Sequence, residues 1–178
     1  MPLLMFIGLP ANIANGTNRI AILLQNVIAV KTFKQKHVLD FTKDYRLAIP
    51  AIVGSIIGAL FAVEIDPNRL KNIIAGLMVL LLLLVVLKPE VWITDQVGKV
   101  NPKPSPLQYI IFFAIGLFGG FIQMGVGFFL LAGLVLGCGH NLVRANAIKV
   151  FIILIYTVFS LGIFIYNIQV DIVAGLIL

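Results

Sequence analysis

Apolar runs of similar length divide the chain, with polar or proline-bearing stretches between them. A helix that crosses a bilayer needs about 20 consecutive, mostly apolar residues. Runs at 12–30, 47–63 and 70–87 each suit one crossing, and the last contains the unbroken LMVLLLLLVVL. Residues 88–107 hold Pro89, Pro102, Pro104 and Pro106 and read as an irregular linker, with Trp92 as an interface anchor. Residues 108–137 are too long for one straight crossing and are interrupted by Gly119, Gly120, Gln123, Gly125 and Gly127. Another crossing follows at 142–166, and 169–178 opens a further helix. The opening stub, MPLLMFIGLP, is too short to span and lacks the basic start and small-residue cleavage site of a signal peptide. It reads as the second half of a helix. Open strands would leave backbone groups unpaired in lipid, so the expectation is an all-α polytopic transmembrane helix bundle.

Composition agrees. The chain is 61% hydrophobic and 11% charged, with mean hydropathy +1.10. Soluble domains carry about 45–50% apolar and about 25% charged residues, so a lipid bilayer must be the solvent for much of this surface. A single transmembrane domain is expected. The net charge of +6 would suit nucleic acid in a soluble protein. Here Lys and Arg flank the apolar runs, as topology signals do, and no nucleic-acid motif is present. The lone Cys138 allows no disulfide framework and reads as a small buried hydrophobe. GSIIG at 54–58 is a small-xxx-small pattern that lets helices approach closely.

Sliding the chain on itself by 131 residues places Gly8 on Gly139, Ala14 on Ala145, Asn15 on Asn146 and Asp40 on Asp171. A duplication follows, with unit 1 at about 1–88, a linker at 89–107 and unit 2 at about 108–178. Residues 108–131 and 48–88 have no counterparts in the other unit, so the chain is expected to be part of a longer transporter. Segment 31–46 carries Lys31, Lys34, Lys36, Lys43 and Arg46, whereas its counterpart 162–177 has no Lys or Arg. The positive-inside rule puts 31–46, and the linker two helices later, in the cytoplasm. The turn at 138–143 is then also inside, and 108–137 must enter and leave on one face, bent at the glycines. That makes the units inverted repeats with a re-entrant segment. One long kinked helix with parallel repeats is the alternative.

The first crossing is unusually polar. At about 100° per residue, Asn12, Asn15, Arg19 and Asn26 share a stripe about 60° wide, with Asn18 and Gln25 beside it. A polar ribbon on an apolar helix faces the bundle interior or a water-filled path. A lone cation in mid-bilayer costs about 2.5–3.5 kcal/mol, so something must compensate Arg19. In unit 2, Lys149 takes the position equivalent to Asn18. No Asp or Glu lies within a predicted span, and amides with two cations suit a small anion. The bland alternative is that both side chains snorkel to the headgroups. The break at Gly125 and Gly127 would offer backbone N–H groups, with Gln123 as a further donor, or would merely serve tight packing. The substrate-binding set expected from sequence is thus Asn15, Asn18, Arg19, Asn26, Gln123, Gly125, Gly127, Asn146 and Lys149. Asp40 and Asp171 read as helix caps. His37 and His140 lack metal-ligand spacing, and no nucleophile–base or paired-carboxylate constellation is present, so no enzyme, metal or cofactor is expected.

The stretches PLLMFIGLPANIANGTNR and GLFGGFIQMGVGFFLLAGLVLG followed by NLVRANAIK resemble the sulfite exporter TauE/SafE family across essentially the whole chain. That resemblance implies a bacterial multi-pass plasma-membrane permease for sulfite, organosulfonates or related sulfur-containing anions. A polytopic scaffold or assembly subunit, whose polar faces join helices, is the competing reading. Self-association into a homo-oligomer stays open.

Overall fold

The structure, a computed structural model, describes residues 1–39, 41–87 and 105–178. Its elements are α1 (Pro2–Phe6), α2 (Ala11–Gln35), α3 (Phe41–Glu64), α4 (Pro67–Leu87), α5 (Pro106–Phe121), α6 (Val126–Ala132) continued by a π-helical turn (Gly133–Gly137), α7 (Leu142–Tyr166) and α8 (Ile172–Ile177). The expected interface anchor Trp92, the cap Asp40 and most of the linker lie outside the described residues.

Local chemistry sets the helix starts. Ser105 and Gln108 form a reciprocal capping box ahead of α5, with Pro106 at its first position. Asp66 accepts from the N–H groups of Asn68 and Arg69 at 3.0 and 3.1 Å before α4. Asp171 accepts from the Ala174 N–H at 3.0 Å, the capping role its sequence position suggests. Asn141 caps α7, accepting from the Arg144 N–H at 2.8 Å. Asn141→Ala should remove about 1 kcal/mol and lower the thermal midpoint by about 2–4 °C in a melting experiment.

Two sequence readings need adjustment. Residues 31–46 are not one loop, because α2 continues through Gln35 and carries Lys31 and Lys34 on its last turns. Cys138 is half-buried rather than enclosed, since it follows the last turn of the α6 arm.

Helix α3 shows what solvent the fold expects. Ala48, Ala51, Ser55, Ala59 and Ala62 point inward, while Ile49, Val53, Leu60 and Phe61 point outward. Large apolar side chains outside and small ones inside reverse the soluble pattern, and fit helices that pack backbone to backbone in lipid. The inward seam meets α5 running parallel: Gly54 lies against the Phe113 carbonyl, Gly58 against that of Leu117, Gly116 against Ala51 and Gly120 against Ser55. The GSIIG pattern is therefore a packing seam. Among the described residues, Tyr45–Glu64 and Leu142–Tyr166 are long and apolar enough to cross a membrane, with mean hydropathy 2.1 and 2.5. Helix α2 matches α7 in length, but its buried polar ribbon dilutes its hydropathy.

Helix α5 and the α6 arm fold back on each other. Gln108, in the first turn of α5, donates through Nε2 to the Gly137 carbonyl at the end of the arm, 2.7 Å away. Near the bend, the Phe118 and Phe129 rings meet edge to face with centroids 5.5 Å apart.

Helices α2 and α7 are each 25 residues long and begin 131 positions apart. Their ends repeat too. Each is preceded by a glycine at positive φ, Gly8 (100°) and Gly139 (73°), and followed by a residue at nearly the same positive φ, His37 (55°) and Ile168 (57°). The two helices pack antiparallel with reciprocal contacts. Arg144, in the first turn of α7, donates to the Val38 carbonyl just past α2 at 3.0 Å. The Asp171 N–H, just past α7, donates to Thr17 Oγ1 of α2 at 2.9 Å. One end of the bundle thus collects Val38, Gln108, Gly137 and Arg144, with Lys34, Lys36 and Arg46 nearby in the chain.

Candidate functional site

The break between α5 and α6 is the centre of the polar chemistry. Helix α5 ends at Phe121; Ile122 is extended, at φ −134° and ψ 110°, and Gly125 enters the left-handed region at φ 80° before α6 begins. A residue with a Cβ would be strained at that angle, which is why glycine stands there. The last carbonyls of α5 have no intrahelical donor and carry the negative end of the helix dipole.

Arg19 answers this need. It is fully buried, and its guanidinium donates from Nη1 to the Gly119 carbonyl at 3.3 Å and to Ser160 Oγ at 2.8 Å. Nη2 donates to the Gly120 carbonyl at 2.6 Å. Its Cζ sits 4.4 Å from the centroid of the Phe164 ring. Every one of these partners is neutral: two carbonyls, a hydroxyl and an aromatic face. One turn earlier on α2, Asn15 donates through Nδ2 to the Phe121 carbonyl at 2.8 Å. Three successive carbonyl-bearing positions of the α5 terminus are thus clamped by two side chains of the α2 stripe. Arg19 does not snorkel. Its charge is spent on a helix end inside the bundle.

Helix α7 closes the other side. Gln123, in the break, donates through Nε2 to Thr157 Oγ1 at 2.8 Å, with both side chains buried. A Cβ on Gly119 would lie 3.1 Å from the Tyr156 hydroxyl and 3.2 Å from Val126 Cγ1, so Tyr156 reaches the same carbonyl-rich corner as Arg19. Lys149 is half-buried, and its stem passes Gly127, whose Cβ would lie 3.8 Å from Lys149 Cδ. Arg19 therefore lies on the α5 side of the break and Lys149 on the α6 side.

The expected site residues divide accordingly. Asn15, Arg19, Gln123, Gly125, Gly127 and Lys149 gather at the break. Asn26 does not join them: it is buried, but its Nδ2 donates to the Ile22 carbonyl of its own helix at 2.7 Å. Asn18 is half-buried, and its Oδ1 accepts from the Met1 amino group at 3.0 Å. Asn146 is half-buried one turn before Lys149. Tyr156, Thr157 and Ser160 were not singled out in sequence. The available signal was their helical spacing from Lys149, which places all four on or beside one face of α7.

Outward apolar side chains around a buried, polar helix break define a polytopic helical membrane protein. The chain belongs to the sulfite exporter TauE/SafE family, whose sequence profile matches residues 1–178. It is 25% identical over 166 residues to "Probable membrane transporter protein ORF9" of Sinorhizobium sp., covering 93% of this chain and 63% of the relative. It is 30% identical over 149 residues to "Probable membrane transporter protein YfcA" of Escherichia coli K12, covering 83% and 54% respectively. The chain thus spans between half and two thirds of the length of these relatives. No solved structure matches it. A membrane protein of a transporter family is the identity these findings establish.

Proposed function

We propose that the chain forms the core of a bacterial secondary transporter that carries a small sulfur-containing anion, sulfite or a sulfonate, past the α5–α6 break. The observation that carries this reading is a break flanked by two cations, Arg19 and Lys149, where the partners of Arg19 among the described residues are all neutral. Buried cationic groups beside an interrupted helix give an anion a favourable potential at a depth where water cannot supply one. The antiparallel α2–α7 pair, with matched ends and reciprocal contacts, supports two inverted units at about 1–88 and 108–178. The α5–α6 hairpin is then a re-entrant segment, and the end holding Val38, Gln108, Gly137 and Arg144 faces the cytoplasm, following the basic residues there.

Counterflow of labelled sulfite into proteoliposomes tests the proposal. The protein should accelerate uptake over empty liposomes, with competition by short sulfonates and none by ammonium. Lys149→Gln should raise the half-saturating sulfite concentration about tenfold, as loss of one charge-assisted contact does. The scaffold reading draws on one observation, that both Nη groups of Arg19 serve helix contacts, and it predicts no counterflow at all.

A further inference from the structure

Several buried polar atoms near the break have no hydrogen-bond partner among the described residues. They include Arg19 Nε, the Tyr156 hydroxyl, Asn15 Oδ1 and Gln123 Oε1. In lipid-embedded protein such groups are costly, and natural bundles satisfy them with protein, ordered water or a ligand. Arg19 and Tyr156 are 0% and 1% exposed, so bulk solvent does not serve them. These two groups are set apart from the others by position and by type. Arg19 holds the Gly119 carbonyl, and the Tyr156 hydroxyl lies over the same glycine. Both offer an N–H or O–H that no described residue receives.

Arg19 cannot offer an anion its end-on Nη1–Nη2 fork, because Nη1 is committed to Gly119 and Ser160 and Nη2 holds Gly120. Nε is the guanidinium nitrogen with no partner among the described residues, and a second donor beside it would let the site hold an oxyanion from two sides. Tyr156 is placed to be that donor. Gln123 can add a third: a threonine hydroxyl bonds equally well to either end of an amide, so turning the amide over against Thr157 frees an N–H at no loss.

We infer that Tyr156 O–H and Arg19 Nε–H form the anion-contacting pair of the site, converging at Gly119 on one small oxyanion of the sulfite type. This rests on the anion-transport reading above, and it assigns a residue outside the set expected from sequence. It also divides the labour of Arg19: the forked end positions the helix break, and the inner nitrogen meets the substrate.

The unpartnered state of the phenol makes the test clean. Tyr156→Phe keeps the ring and removes a hydroxyl that has no hydrogen-bond partner among the described residues, so it should leave the anion-free thermal midpoint unchanged or slightly higher. Measured on the full chain, sulfite should stabilise the wild type against heat and Tyr156→Phe much less. In counterflow the variant's half-saturating sulfite concentration should rise about tenfold, with the maximal rate less affected. A half-saturation equal to wild type, or an anion-free melting point lowered as by a broken bond, would overturn the assignment while leaving transport intact. If wild-type protein neither exchanges nor is stabilised by sulfite, selenite or a short sulfonate, the transport reading falls and this assignment falls with it.

Discussion

Arg19→Leu is expected to lower the thermal midpoint of the detergent-solubilised protein by about 10 °C, and to abolish transport in what remains folded. The change removes three hydrogen bonds at once and leaves the Gly119 and Gly120 carbonyls facing an alkyl chain. Side-chain hydrogen bonds in membrane bundles average about 0.6 kcal/mol, and charge-assisted ones are roughly twice as strong. The total loss is then about 3.6 kcal/mol, and each kcal/mol corresponds to about 2–4 °C in a chain of this length. Arg19→Lys should recover only part of it. A single ammonium on a flexible stem cannot span two carbonyls and Ser160 in one plane as the guanidinium does. A melting point unchanged in both variants would show that the clamp does not hold the break.

Gly58→Ala and Gly120→Ala should each cost about 3 kcal/mol or more, although each adds a single methyl group. At Gly58 the new Cβ would collide with the Leu117 carbonyl, and at Gly120 with the backbone of Ser55. Backbone cannot step aside as a side-chain tip can, so α3 and α5 must separate along the seam. The same substitution at Gly162 provides the contrast. Nothing lies within 4 Å of a Cβ there, on the exposed face of α7. Gly162→Ala should therefore raise stability by up to about 1 kcal/mol through helix propensity alone. Opposite signs from one chemical change, read by melting of the three variants, would establish the seam; equal small effects would contradict it.

The features with short-range periodic signals were legible in the sequence. Asn12, Asn15 and Arg19 recur at helical spacing, so the inward face of α2 followed from rotation about one axis. Gly125 marked the break because a left-handed residue is needed to restart the chain as α6, whereas Gly127 lies inside that helix. The offset of 131 also aligns the start of α2 with the start of α7, where each helix follows a glycine at positive φ. What Arg19 touches was not legible. Its partners lie 100 and 101 residues away on α5, and carbonyls leave no trace in side-chain pattern. Asn26 looked equivalent to Asn15 on the helical wheel, yet it bonds back to its own helix, since the second lone pair of the carbonyl one turn earlier competes with any distant partner. Tyr156 escaped notice for a different reason: within an apolar helix an aromatic ring reads as core, and only tertiary structure shows its hydroxyl at the break.

The most direct test of the central claim is to see where an anion rests. Selenite is the heavier congener of sulfite, and its selenium can be located by anomalous scattering in crystals of the Cys138→Ser protein, which removes the one thiol that selenite could oxidise. The account predicts a selenium peak at the α5–α6 break, within hydrogen-bonding reach of Arg19 Nε and the Tyr156 hydroxyl. Peaks confined to the basic end near Lys34, Lys36 and Arg144, with the break vacant, would contradict it.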